Sequence, residues 1–154
     1  MEENNLVKGK VQDKNWPLPN FFFKVELGED TYAFKEISGL DAEVETTTYR
    51  HGNSRQKSDF IISSRPKFND VTLKKGLFTK DTKLYSWFKS NLNSPDRKDV
   101  SISLMNELNN KELTWKLISA FPKKITFSDF NSQESGIAIE TVVLSCEDLD
   151  FISI

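Results

Sequence analysis

The sequence predicts a mainly β protein: a small antiparallel β-barrel of two packed sheets, with one amphipathic helix at about 81–93 and a long projecting hairpin at about 42–69. Three observations carry that expectation. Many short segments alternate apolar and polar residues with a period of two, as half-buried strands do. One stretch alone repeats its apolar residues at helical spacing. No internal repeat is visible, so the strands belong to a single closed system and not to an array.

The elements follow in order. Residues 1–15 form a polar, mixed-charge tail, and a single domain is expected over 16–154, stiffened at its start by Trp16-Pro17-Leu18-Pro19. The stretch PNFFFKVEL at 19–27 then alternates. Phe21, Phe23, Val25 and Leu27 take the core face, and Phe22, Lys24 and Glu26 the other. Phe22 is therefore left facing water in a lone monomer and calls for a partner. Gly28-Glu29-Asp30 turns the chain into TYAFKEIS, where Tyr32 and Phe34 share one side and Ala33, Lys35 and Ile37 the other. Ser38-Gly39-Leu40-Asp41 reads as a second turn.

DAEVETTTYR at 41–50 is a strand with Ala42, Val44, Thr46 and Thr48 on one face and Asp41, Glu43, Glu45 and Thr47 on the other. The following run, 50–69, holds only the short apolar patch Phe60-Ile61-Ile62 and is long for a connection inside a compact domain. It is read as a projecting hairpin, with DVTLKKGLF at 70–78 bringing the chain back as a strand. Arg50, His51, Arg55, Lys57, Arg65 and Lys67 make this loop basic. Three readings are open for them: a phosphate grip, a solvated loop, or a contact arm whose cations meet Asp41, Glu43 and Glu45 of a neighbouring copy. Aromatic stacking residues lie only at the margins, at Tyr49, Phe60 and Phe68, which disfavours single-strand nucleic-acid binding. The exposed Phe22 favours the contact arm.

The helix carries Leu84, Trp87, Phe88 and Leu92 on one stripe, with Thr79 or Asp81 available as a cap and Asn93-Ser94-Pro95 ending it. Three strands remain: DVSISLMNE at 99–107, LTWKLISAF at 113–121 and a continuous segment from 136 to the end, apolar at Thr141–Leu144. A turn at Asn109-Asn110-Lys111 joins the first two.

Composition excludes several classes. A chain of 154 residues can bury a core without staples. Twenty-three acidic against twenty-one basic side chains generate no field that would gather nucleic acid or an anionic membrane. No apolar run reaches about 18 residues, so no membrane span is expected, and MEENNLVKGKVQDKNW lacks the apolar centre of a signal peptide. One His and one Cys cannot supply a zinc site. Cys146 lies in an apolar strand, where packing is its expected role, and His51 lies in a polar loop, so no nucleophile–base pair is assigned. Glu147, Asp148 and Asp150 lack calcium-loop spacing and read as a solvated strand edge. No catalytic, cofactor-binding or metal residue is named.

A resemblance emerges from ordered stretches over about Trp16–Ile152. These are Pro17-Leu18-Pro19 with its aromatic strand, Ser38-Gly39-Leu40-Asp41, Tyr49-Arg50-His51-Gly52, Thr72–Phe78, Asp81–Trp87, Lys98–Leu104, Leu113–Lys116, Ala120-Phe121-Pro122 and Ile137–Glu140. In that order the chain resembles the inner-tube proteins of contractile injection machines, both phage tail tubes and extracellular phage-tail-like particles. The resemblance implies a non-enzymatic structural subunit without cofactors. It implies hexameric rings stacked into a rigid tube, with a contractile sheath protein, baseplate and tube-terminating proteins as partners and effector cargo in a polar lumen. It also implies assembly in the cytoplasm before incorporation into the particle, and no specific nucleic-acid binding. The hairpin after Tyr49-Arg50-His51-Gly52 is similar to the element that reaches neighbouring subunits. Phe22, Glu43, Glu45, Tyr49, Arg50, His51, Gly52, Arg55 and Lys57 are the expected subunit-interface residues. Many relatives carry Pro-Gly in that hairpin, whereas this chain has Arg55-Gln56-Lys57-Ser58. The alternative is a monomeric β-barrel that binds carbohydrate or nucleic acid through its exposed aromatics.

Overall fold

A computed structural model describes residues 22–50, 52, 59–77, 81–130, 132–133 and 136–153. Among these residues ten strands and one helix follow one another: β1 (Phe22–Leu27), β2 (Asp30–Phe34), β3 (Glu36–Ser38), β4 (Ala42–Tyr49), β5 (Phe60–Phe68), β6 (Val71–Gly76), α1 (Lys83–Asn93), β7 (Lys98–Met105), β8 (Lys111–Phe127), β9 (Ile139–Ser145) and β10 (Asp148–Ser153). The fold is mainly β with one helix, as expected. The strands form two sheets, one of eight strands in the order β2-β1-β7-β8-β9-β6-β3 with β10 also on β8, and a separate pair β4-β5. All described pairings are antiparallel. The large sheet is an open path ending at β2 and β3, so the expected barrel is not closed by strand pairing.

Strand β8 makes the large sheet fold over on itself. Its first part pairs with β7 on one side and β10 on the other, and its second part pairs with β9. The switch coincides with Ser119 at φ 50° and with a register shift at Pro122, where a ladder donor is missing. One strand thus serves two halves, and this is why it runs through 127 where periodicity predicts an end at 121. The segment from 136 onward breaks for a related reason. It follows β8 on one side as β9, bends at Cys146-Glu147 and resumes as β10.

The core lies between the halves. Val25 and Leu27 of β1, Val100 and Ile102 of β7, and Leu117 of β8 meet Val71 and Leu73 of β6 and Val142 and Leu144 of β9. Phe23 packs against this cluster while Phe22 faces out, as the alternation of the aromatic run requires. The segment 30–38 departs from simple alternation. Phe34 and Ile37 both contact the core, because the chain leaves β1 at Lys35, whose N–H donates to Lys74 O at 2.8 Å, and joins β6 as β3.

Helix α1 presses Leu84 and Trp87 onto the core, and the Trp87 Nε1–H donates to Asp96 O at 2.8 Å. Phe88 is half-buried and Leu92 exposed, so the buried stripe is shorter than its spacing predicts. Thr82 occupies the N-cap position without a side-chain cap. Asp81, a candidate cap, instead accepts from Lys75 Nζ at 3.1 Å; Thr79 lies outside the described residues. Lys75 itself is buried and stands 3.1 Å from the buried Glu140, its register partner on β9, as an ion pair without hydrogen-bond alignment. The Lys75 ammonium also sits over the Tyr32 ring, 5.7 Å from its centroid.

Candidate assembly interface

The hairpin β4-β5 stands apart from everything just described. Every residue of β4 is exposed, and so is every residue of β5 except Phe68. Its base is held at Gly39, which has φ +86° and packs so closely on the return strand that a Cβ there would lie 2.1 Å from the Asp70 carbonyl oxygen. Only glycine satisfies both conditions. The Asp41 N–H donates to Gly39 O at 2.8 Å, completing the turn that launches β4. Lys123 Nζ, 2.9 Å from Asp70 Oδ2, ties the other leg to the body.

Register sorts the hairpin into two faces. Val44 lies opposite Pro66, Thr46 opposite Ser63 and Thr48 opposite Ile61, which gives a face of small, uncharged and apolar groups. Glu43 opposite Lys67, Thr47 opposite Ile62 and Tyr49 opposite Phe60 define the second face, where the charges lie. This is the division that alternation in 41–50 predicts. Between Val44 and Thr46 the ladder shifts by one residue and Ser64 Oγ donates to Glu45 O at 3.0 Å, so Ser64 and Arg65 bulge opposite Glu45.

The expected site residues fall unevenly. Glu43, Glu45, Tyr49, Arg50 and Gly52 are exposed along the hairpin. His51, Arg55 and Lys57 lie outside the described residues. Glu43 reaches Lys67 of its own hairpin at 3.6 Å, and Arg50 reaches Asp59 at 3.6 Å. Both pairs are open to water and therefore weak, so they are easily exchanged for an intermolecular partner. Phe22 lies elsewhere, at the end of β1 opposite Met105, and is 42% exposed. Beside it on the outer face Glu26 is held by Lys111 at 3.1 Å and Lys24 at 3.2 Å. The Lys111 hydrogen bond keeps the Glu26 carboxyl below the ordinary carboxylate range.

Sequence reasoning passed over the largest exposed apolar groups of this hairpin. Phe60, Ile61 and Ile62 are exposed, Ile61 to 72%. Their signal was the only apolar patch in an otherwise polar run. Phe151 on β10 was likewise unassigned; it is 61% exposed, with its ring centroid 5.2 Å from that of Trp115. The three residues of the acidic stretch Glu147, Asp148 and Asp150 are exposed at this edge, as their reading as a solvated strand edge predicts. Cys146 is half-buried, and burial, then Asp148 and Asp70, pushes its thiol pKa up, opposite to what a nucleophile needs. Among the described residues no cluster of three or more potential metal ligands occurs, and no helix is long and apolar enough to cross a membrane.

A self-contained core bearing an arm that is exposed on both faces defines a structural subunit built to associate. Comparison with known proteins agrees. Residues 19–150 match the family of the T4-like virus tail tube protein gp19, and the chain belongs to that family, whose members are structural components and not enzymes. Among solved structures it is similar to a chain of an extracellular contractile injection system, the PVC sheath-tube complex in the extended state. That match has 29% identity and a TM-score of 0.82, covering 92% of this chain and 95% of that one. It is also similar to a chain of the anti-feeding prophage cap, described as the tube terminating cap, at 25% identity and TM-score 0.78, covering 99% of this chain and all (100%) of the other. Hcp1 from Flavobacterium johnsoniae shares the fold, at 16% identity and TM-score 0.57, with 85% and 94% of the two chains covered. No curated protein matches the chain.

Proposed function

We propose that the chain is the repeating subunit of the rigid inner tube of a contractile injection machine. Copies form hexameric rings, the rings stack, and the tube serves as conduit and projectile when a surrounding sheath shortens. The observation that carries this reading is the two-stranded β4-β5 sheet, exposed on both faces yet bearing Val44, Tyr49, Phe60, Ile61 and Ile62. A lone two-stranded ribbon is marginal in water, and such a row of apolar groups marks a contact surface. Phe22, Glu43, Glu45, Tyr49, Arg50 and Gly52 belong to the subunit contacts in this reading. A ring uses one patch against a different patch on the next copy, which suits an arm and a distant seat.

The partners follow from the neighbours. The similar chains come from a sheath-tube complex and a tube-terminating cap, so a sheath protein, a terminator and a baseplate are the proposed partners here, and an extracellular phage-tail-like particle the proposed setting. No bond is made or broken by the subunit; its work is mechanical. Size-exclusion chromatography with negative-stain microscopy of the concentrated full chain tests this. Rings or rods are expected, and Phe22→Asp is expected to shift the population toward folded monomer. A chain that stays monomeric at high concentration overturns the proposal.

A further inference from the structure

Strand β10 has one edge on β8 and, among the described residues, no strand on the other. A free edge carrying a half-exposed aromatic is an open template for another strand. The side chains of β10 divide cleanly. Leu149 and Phe151 lie opposite Leu117 and Trp115 and continue the inner, apolar face of the sheet, while Asp148, Asp150 and Ile152 take the outer face. Whatever adds to this edge has to offer cations outward and uncharged groups inward, in alternation.

Within the chain, β5 has that pattern. Lys67 and Arg65 lie on the charged face of the hairpin, and Pro66 between them belongs to the uncharged face with Val44. Strand β4 has the opposite sign, with Glu43 and Glu45, and would repel β10. Run antiparallel to β10, the two cations fall opposite the two aspartates in a single register: Lys67 against Asp148 and Arg65 against Asp150. The same register sets Pro66 beside Leu149 and turns the uncharged face toward Phe151 and Trp115. A parallel register, Arg65 against Asp148 and Lys67 against Asp150, makes the same charge matches, but parallel pairing is slightly less stable per residue, and every described pairing of this chain is antiparallel. Pro66 has no N–H to donate, so the new ladder skips that position, next to the bulge already present.

We propose that the β4-β5 hairpin of one copy adds to the free edge of β10 of a second copy, β5 antiparallel to β10, so that each subunit's large sheet is extended by its neighbour's arm. This seat rests on the tube reading, in which copies meet arm to body. It accounts for the exposure of Phe151 in the single chain and for the weak pairing of Lys67 with Glu43, which leaves Lys67 free to change partner.

The test places Arg65→Cys and Asp150→Cys in one chain with Cys146→Ser and oxidises the assembled rings. Facing strand residues bring the two thiols within bonding reach, so a ladder of linked species up to the hexamer is expected on denaturing gels. In parallel, Asp148→Lys with Asp150→Lys is expected to lower the ring fraction about tenfold or more, and adding Arg65→Asp with Lys67→Asp to restore it. Wild-type rings with neither a ladder nor any charge dependence overturn the seat while leaving the tube reading standing. A wild-type chain that forms no rings overturns the tube reading, and the seat with it.

Discussion

The eight-stranded body and the β4-β5 hairpin are built from similar alternating strands, yet they end in opposite states. In β6 every second residue, Val71, Leu73 and Lys75, is buried; in β4 none is. The body finds a second layer for its apolar face in the folded-over half and in α1, whereas the hairpin has no such layer among the described residues. The contrast teaches that alternation marks which residues share a face, and that only the presence of a covering layer makes that face a core. Stability is therefore expected to reside in the body and association in the hairpin.

Four changes probe that division. The largest effect is expected at the buried ion pair. Lys75→Ala leaves Glu140 charged and alone in the interior, and a loss of about 3–5 kcal/mol in denaturant unfolding is expected, with Lys75→Met plus Glu140→Leu recovering most of it. Next, Leu117→Ala opens a cavity where the two parts of β8 meet and should cost about 2–5 kcal/mol, whereas Ile61→Ser on the hairpin should move unfolding by less than about 0.5 kcal/mol while depleting rings in negative stain. A large loss of fold stability from Ile61→Ser would break the comparison. Gly39→Ala sits at the joint between the two regions. Its strained φ and the contact with Asp70 predict a loss of about 1–3 kcal/mol, together with weaker assembly because the arm is re-aimed.

The smallest effect concerns Tyr32, which lies against the buried charges. Burial, then Asp30, Asp81 and Glu140, pushes its phenol from 10.0 up to about 12. The neutral form is thus favoured by folding, so this contribution is fully present below pH 10 and is lost as pH rises through about 12. Comparing unfolding midpoints of the wild type and Tyr32→Phe across that window should show a steeper alkaline decline in the wild type. Identical slopes would remove Tyr32 from the account.

Much of this was legible in the residues. The facing of Phe22 and Phe23, the two faces of 41–50, the helix near 81–93 and the projecting arm all follow from local spacing. The interior lysine was not, although V-T-L-K-K carries a faint sign of it. Lys75 stands where a third apolar residue belongs, and nothing local reveals that Glu140 and Asp81 will meet it. Phe60, Ile61 and Ile62 looked like a minor patch because their exposure depends on what fails to cover them. Phe151 was read as part of one long strand, and its place at an edge required knowing that, among the described residues, β10 pairs with β8 alone.

By itself the sequence determined the side-chain period, the turn at Gly39 and, with its single cysteine, that no disulfide forms within the chain, since each is a property of residue type and backbone geometry. Pairing decided the rest. It made β8 serve two halves, brought Lys75 and the half-buried Asp81 to the buried Glu140, and left β10 and the hairpin with edges that no described strand occupies. Those outcomes join residues far apart in the chain, and no local preference encodes which strand lies beside which, or where a layer is missing.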